Sequence, residues 1–335
     1  MDTVRLKDVA EHAGVSIKTV SNVVRGEVAV APSTRERVMR SVSELGYRPN
    51  ASARHLRTGR SGIVALALPE LSAPYFAELA AAVIAAAKAR GCTVLIDETG
   101  GDAAEELRIA SGLGEPLIDG VLLSPLNLDQ AALLGRSRRV PLVLLGEREY
   151  DLAADHVLID NVAAAREVTA HLLAPGRRRV AAIGNQRGVA AATAHQRMRG
   201  YQEALYAAGV PFDPALAPYV TAYHRADGAH AMRALLDLPE PPDAVFCFND
   251  LLAAGALRTA ADRGVAVPGR VAVAGFDDVE EAQYSVPSLT SIAPDKHELA
   301  GLAVDALLRR IGGDTSPAQV RHAGHRLVVR ESTTP

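Results

Sequence analysis

The chain has 335 residues, 48% of them hydrophobic and 22% charged, which is ordinary globular composition and too much length for one small core. No apolar run is long enough to span a bilayer and no charged-then-apolar leader opens the chain. Its two cysteines, Cys92 and Cys247, sit beside apolar strand-like residues, so free thiols in a reducing, cytoplasmic compartment are expected rather than a disulfide framework. The net charge of −3 conceals an asymmetry, since residues 1–60 carry eleven Lys/Arg against six Asp/Glu and the rest 25 against 33; a basic head on an acidic body points to nucleic-acid contact by the head alone.

Leu6, Val9, Ala10 and Ala13 recur at the spacing of one helical face. Gly14 can take the left-handed backbone that ends such a helix, and Ser16 can cap the next. In that second helix Val20, Val23 and Val24 point one way, and Ile17, Lys18, Ser21 and Asn22 the other. Two short amphipathic helices joined by a glycine turn make a helix-turn-helix, whose second helix enters the DNA major groove. Lys18 can donate to guanine and Asn22 can pair with adenine, with phosphate contact the alternative for both, while Ile17 offers an apolar contact. Ser16, Thr19, Ser21 and Asn50 read as donors to the DNA backbone.

A third helix is predicted over Pro32–Leu45, stopped by Gly46, and then a marginal helix and a linker over residues 50–62. From Ile63 the texture changes. Strand-like runs at Ile63–Leu68, Thr93–Asp97, Gly120–Ser124, Pro141–Leu145, His156–Asp160, Arg179–Gly184, Ala244–Phe248 and Val271–Phe276 alternate with helical patterns such as Phe76–Arg90, Val162–Leu173, Gln196–Ala208 and Leu251–Arg263. That rhythm predicts an α/β body with parallel sheets, most economically in two lobes.

Taken together, the chain resembles the lactose/galactose repressor family of bacterial transcription regulators. The resemblance rests on Asp8-Val9-Ala10, Ala13-Gly14-Val15-Ser16, Thr19-Val20-Ser21, Thr34-Arg35-Glu36, Leu45-Gly46-Tyr47 and Pro49-Asn50 in the head. In the body it rests on Ile159-Asp160-Asn161, Arg197-Met198-Arg199-Gly200-Tyr201, Ala244-Val245-Phe246 with Asn249-Asp250, and Gly275-Phe276-Asp277-Asp278. It implies an all-α helix-turn-helix head over residues 1–48, a hinge helix and linker over 49–60, and a two-lobed body over 61–335 folded like a periplasmic binding protein. Lobe 1 would comprise about 61–160 and 292–321, and lobe 2 about 162–290 and 322–335. It also implies a homodimer on a near-palindromic double-stranded operator, controlled, as a repressor is, by a small effector between the lobes. The chain ends soon after the strand-like His325–Arg330 without a trailing heptad segment, so a dimer is expected rather than a tetramer.

By the same resemblance, Asn50, Ala53 and Arg54 accompany Leu56, which would wedge between bases in the minor groove. The implied effector-binding residues are Tyr75, Phe76, Ser124, Thr193, Arg197, Tyr223, Asn249 and Asp277. They suit a sugar: Asp277 accepts from hydroxyls, Arg197 donates, and an aromatic ring covers an apolar face, although a purine or other metabolite stays open. Arg5 and Ala31 stand where relatives often place a capping Ser or Thr, Gly146 where some have an acidic residue, and Pro294 where some have a polar one. An α/β enzyme is the rival reading, with His195 and Asp277 as an imaginable acid/base pair. The sequence has no Gly-rich phosphate loop, Gly-x-Ser-x-Gly elbow or Cys/His metal spacing, so no catalytic residue, metal or cofactor is expected. A solute-binding protein, the other rival, would not need the basic head. If Leu56 is the wedge, Leu56→Ala keeps the fold and effector binding but loses most operator affinity, which a gel-shift titration measures.

Overall fold

A computed structural model of the chain describes residues 4–25, 30–47, 60–112, 118–135, 140–146, 150, 154–188 and 191–334. They form two units, Met1–Ser61 and Gly62–Pro335.

The first unit is helical: α1 (Leu6–Ala13), α2 (Ile17–Arg25) and α3 (Pro32–Glu44). Val9, Ala10 and Ala13 of α1 close with Val20 and Val23 of α2 and Val38 of α3 into one small core. Gly14 ends α1 at φ 62°, and its N–H returns to the Ala10 and Glu11 carbonyls. His12 Nδ1 lies 3.0 Å from Ser41 Oγ, a polar pin between α1 and α3 at the edge of that core. The missing serine cap at Arg5 is half replaced, because the Arg5 backbone N–H donates to the Asp8 carboxylate at 2.7 Å. Ala31 offers no side-chain cap to α3, but Pro32 in the first turn has no N–H to satisfy.

The second unit has two sheets. Lobe 1 runs β1 (Ile63–Leu68), α4 (Pro74–Ala89), β2 (Thr93–Glu98), α5 (Ala103–Ala110), β3 (Gly120–Leu123), α6 (Gln130–Leu134), β4 (Leu142–Leu145) and β5 (Asp155–Ile159). Lobe 2 follows with α7 (Asn161–Leu173), β6 (Val180–Ile183), α8 (Ala192–Ala207), α9 (Arg225–Leu236), β7 (Ala244–Cys247), α10 (Asp250–Asp262), β8 (Ala272–Phe276), α11 (Glu280–Tyr284) and β9 (Thr290–Pro294). The chain then returns to lobe 1 for α12 (Lys296–Ile311) and β10 (Val320–Ala323), and ends in lobe 2 with β11 (His325–Val328). The sheets are ordered β10-β5-β4-β3-β1-β2 and β11-β9-β8-β7-β6. Every pairing is parallel except β11 with β9, an antiparallel edge that the alternation of strands and helices did not announce.

Both faces of the first sheet are covered at its inner strands, so β1, β3 and β4 read as continuous apolar runs, whereas edge strand β2 is largely exposed. In β1, Val64, Leu66 and Leu68 face α4 and α12, while Ala65 and Ala67 face the opposite layer with Ile109 and Leu133. Gly120 lets α12 close onto β3, since a Cβ there would lie 2.8 Å from Leu307. Gly200 does the same for α8 on α7, where a Cβ would meet the Val162 carbonyl at 2.2 Å.

The polypeptide crosses between lobes after Ile159, after Pro294 and at Gly324, the last two a few residues later than the sequence boundaries anticipated. β9 stays with lobe 2 through Pro294 because it pairs on both sides, with β8 and with β11. Asp160 caps α7 and Asp295 caps α12, so two crossings turn directly into helices. The Asp295 N–H bonds the Gly324 carbonyl at 2.8 Å, and Glu298 accepts the Gly324 N–H at 2.7 Å, tying the second crossing to the third.

The C-terminal segment is part of the fold. The Val273 N–H donates to the Ser332 carbonyl at 3.0 Å, and Thr333 Oγ1 lies 2.8 Å from both Thr290 Oγ1 and His171 Nε2. Burial, helped by the Arg177 charge, holds the His171 imidazole below its ordinary value of 6.5. The folded state therefore disfavours the proton that the unfolded chain accepts, and the stability this contributes is full above about pH 6.5 and lost as pH falls below it. Thermal unfolding between pH 7 and pH 5 is expected to show a falling melting temperature, with the slope reduced in His171→Gln.

Candidate functional site

In the head, the outward side of α2 is the candidate DNA-reading surface. Ser16 Oγ accepts the Thr19 N–H at 3.1 Å and lies 2.8 Å from Thr19 Oγ1, so its hydroxyl caps the helix. Val20 and Val23 are buried, whereas Ser16 and Lys18 are exposed and Ile17 keeps 49% of its surface. A half-exposed isoleucine beside a lysine, at the start of a helix whose other side is core, is an apolar group placed for contact. Thr19, Ser21 and Asn22 are half-buried along the same helix. Asn50, Ala53, Arg54 and Leu56 lie outside the described residues.

In the body, one cavity of about 350 Å³ lies between the lobes. All eight candidate effector residues line it, and each follows from where a strand ends. Tyr75 and Phe76 open α4 after β1, and Ser124 follows β3. Thr193 and Arg197 lie on α8 after β6, Tyr223 precedes α9, Asn249 follows β7, and Asp277 follows β8. This is the C-terminal edge of both sheets, where the chain leaves the covered layers and side chains can converge.

Arg197 is the fixed cation of the site, only 5% exposed. Its Nε donates to Asn161 Oδ1 at 2.7 Å, Nη1 donates to the Phe248 carbonyl, and its Cζ lies 3.5 Å from the centre of the Phe276 ring. Nη2 stands 3.9 Å from Asp277 Oδ1, close enough for attraction but too far for a direct hydrogen bond. Asp277 has φ 107° and Asp278 has φ 44°, left-handed conformations that cost on the order of 1–3 kcal/mol each outside glycine.

Asp250 holds that turn from beneath. It accepts the Val279 N–H at 2.9 Å and the Ser291 hydroxyl at 2.6 Å, and Gly275 makes the room, since a Cβ there would lie 2.1 Å from the carboxylate. Burial, with the Asp277 charge second, pushes the Asp250 carboxyl well above the usual carboxylate range.

Some expected ligand groups are already occupied. Asn249 Oδ1 caps α10 by accepting the Leu252 N–H at 2.8 Å, and its Nδ2 donates to the Tyr223 carbonyl at 3.0 Å. The Tyr223 hydroxyl donates to the Gly184 carbonyl at 2.9 Å, so this residue shows the cavity mainly its ring. Tyr75 and Phe76 pack edge to face with centroids 5.3 Å apart. Gly146 also lines the cavity, and a Cβ there would stand 3.5 Å from Ser124 Oγ. His195 is exposed and is not among the lining residues, so no acid/base pair with Asp277 is assembled.

Sequence reasoning missed Glu70 and His224, which also line the cavity. Glu70 Oε2 lies 2.9 Å from His224 Nε2, one residue from each lobe. The His224 and Ser72 hydrogen bonds hold the Glu70 carboxyl below its usual range. No spacing rule could find a pair separated by 154 positions.

Residues 5–50 match the model for bacterial regulatory proteins of the lacI family, and residues 169–333 match a periplasmic binding protein-like domain. Similar proteins include the HTH-type transcriptional repressor CytR of Escherichia coli K12, 32% identical over 98% of this chain and 96% of the relative. The chain belongs to the LacI family of bacterial transcription regulators. Among solved structures, a complex of the transcriptional regulator CelR with cellobiose matches with TM-score 0.73 and 34% identity, covering 98% of this chain and 99% of that one. The lac repressor dimer bound to operator and the anti-inducer ONPF matches with TM-score 0.84 and 26% identity, covering 99% of each chain. This LacI-family chain is thus a DNA-binding transcription regulator with the two-lobed fold, and not an enzyme. No helix among the described residues is long and apolar enough to cross a membrane.

Because Asn249 serves both a helix cap and Tyr223, Asn249→Ala is expected to destabilise the body by about 1 kcal/mol or more. Asn249→Asp keeps the cap acceptor and should cost less. Urea denaturation of both variants measures the difference.

Proposed function

We propose that this protein is a cytoplasmic repressor that grips a near-palindromic operator as a homodimer and is controlled by a neutral sugar bound between its lobes. The observation that carries the effector half is the convergence of side chains from both lobes on one cavity whose one fixed cation is already matched: Arg197 faces Asp277, while Glu70 is held by its contact with His224. A phosphate or carboxylate would meet Glu70 and Asp277 without a surplus cation. A neutral polyol instead donates hydroxyls to Asp277 and accepts from Arg197, and lays an apolar ring face on Tyr75, Phe76 or Tyr223. Ser124 and Thr193 supply further hydroxyls, and Asn249 acts chiefly by holding Tyr223. The cellobiose complex of a similar regulator supports the sugar class.

On DNA, Ile17, Lys18 and Asn22 read base edges, and Ser16, Thr19 and Ser21 donate to the backbone. Asn50, Ala53 and Arg54 accompany the Leu56 wedge in a hinge over residues 49–60, between a head over 1–48 and a body over 61–335. Exposed Ile84 of α4, Leu95 and Ile96 of the edge strand β2, Tyr284 at the end of α11 and Val286 just beyond it offer apolar surface for a second copy. The similar lac repressor structure is a dimer on its operator. A two-fold dimer presents two reading helices to two half-sites, which is the reason for near-palindromy. A chromosomal operator places the protein in the cytoplasm.

A thermal-shift panel of neutral mono- and disaccharides, cellobiose included, set against sugar phosphates and nucleosides, tests the effector class. At one hundred times its Kd a ligand stabilises the folded state by about 2.7 kcal/mol, a shift of a few degrees. At least one neutral sugar is expected to produce that shift in the wild type and not in Asp277→Ala. A response confined to phosphorylated or nucleoside ligands would overturn the sugar reading.

A further inference from the structure

We infer that Lys296, held by Glu78, is a positioning residue through which lobe 1 sets the shape of the Asp277–Asp278 turn of lobe 2. Lys296 is the first residue of α12, directly after the crossing at Asp295, and its side chain is only 13% exposed. Its ammonium has three hydrogens and meets three oxygens: Glu78 Oε2 at 2.6 Å, the Asp277 carbonyl at 2.6 Å and the Asp278 carbonyl at 3.3 Å. Glu78 lies on α4, in the turn after Tyr75 and Phe76, and its other oxygen accepts the Glu280 N–H at 2.9 Å, where α11 begins in lobe 2. One ion pair of lobe 1 therefore holds two carbonyls and one amide of the same lobe 2 turn.

The held turn is the strained one. Two consecutive aspartates with positive φ persist only where their surroundings over-determine them. Asp250 and Ser291 restrain the turn through its amides, from within lobe 2. Lys296 restrains it through its carbonyls, from lobe 1. Fixing the Asp277 carbonyl narrows the backbone torsions of the turn, and with them the range of positions from which the Asp277 side chain projects toward Arg197. The clamp also joins α4, which carries Tyr75 and Phe76 to one wall of the cavity, to the turn that carries Asp277 to the other. The position of α4 and the presentation of Asp277 are thereby coupled. The assignment of Asp277 to effector binding rests on the function proposed above, but the positioning of the turn does not.

Hydrogen exchange on the full-length, ligand-free protein tests the clamp without knowledge of the effector. In Lys296→Met the amides of Asp278, Val279 and Glu280 are expected to exchange faster by about tenfold or more, while amides of β6 and β7 keep wild-type rates. Lys296→Arg, which retains donors at that position, should restore much of the protection. His224→Asn, which breaks the Glu70 contact instead, should leave the turn unchanged. If Lys296→Met does not fold, Glu78→Gln is measured in its place, with the same amides expected to respond. Unchanged exchange at those three amides overturns the inference, and so does acceleration spread evenly through lobe 2, which would make the ion pair merely a stabiliser of the fold. Failure of every sugar in the thermal-shift panel would refute the effector class and leave this result standing.

Discussion

A parallel sheet covered by helices on both faces can offer a ligand little except the ends of its strands. The first sheet of the body is built this way, with β1 sending alternate residues into two separate packed layers, and the parallel strands of the second are likewise buried along their length. The polar residues of the cleft are consequently those that come just after a strand or open the next helix. Ser124, Asn249 and Asp277 each follow a strand end, and Tyr75 and Arg197 come from the helices beyond. The antiparallel β11 lies at the sheet edge and leaves this arrangement intact.

Placing polar groups between two apolar lobes requires that nearly every one be satisfied. Arg197 shows how this is met, with Asn161, the Phe248 carbonyl and the face of Phe276 enclosing a guanidinium that retains one direction toward Asp277. Asp250 meets it differently, taking an amide and a hydroxyl and tending to keep its proton. Residues that look like ligand contacts divide accordingly: Asp277 and Arg197 face the cavity as charges, while Asn249 and the Tyr223 hydroxyl are committed to holding the walls.

The lobes communicate where the chain passes between them. Three crossings lie together, and the hydrogen bonds of Asp295 and Glu298 with Gly324 join two of them into one structural unit. Lys296 begins immediately beyond that unit, and Glu70 with His224 bridges the lobes at another point on the cavity wall. Small relative movements of the lobes must therefore alter specific polar contacts as well as cavity volume. That is the physical requirement for a ligand to bias one arrangement over another.

Much of this molecule was legible in its sequence. Apolar spacing over Leu6–Ala13, the Gly14 turn and the Ser16 cap define the head, because helix ends and helical faces depend on residues within four positions of one another. The strand-and-helix rhythm of the body was equally local. What sequence could not supply was anything set by separation along the chain: the allegiance of β9 to lobe 2, the burial of Ser332 and Thr333 against β8 and β9, the Glu70–His224 pair, and the Lys296 contact with a turn beyond β8. Periodicity specifies which face of an element is apolar, but partners 19 to 154 residues apart meet only after the sheets have chosen their order. The residues alone thus determined a DNA-reading head on an α/β body, and the tertiary structure decided which side chains face the cavity and which hold its walls in place.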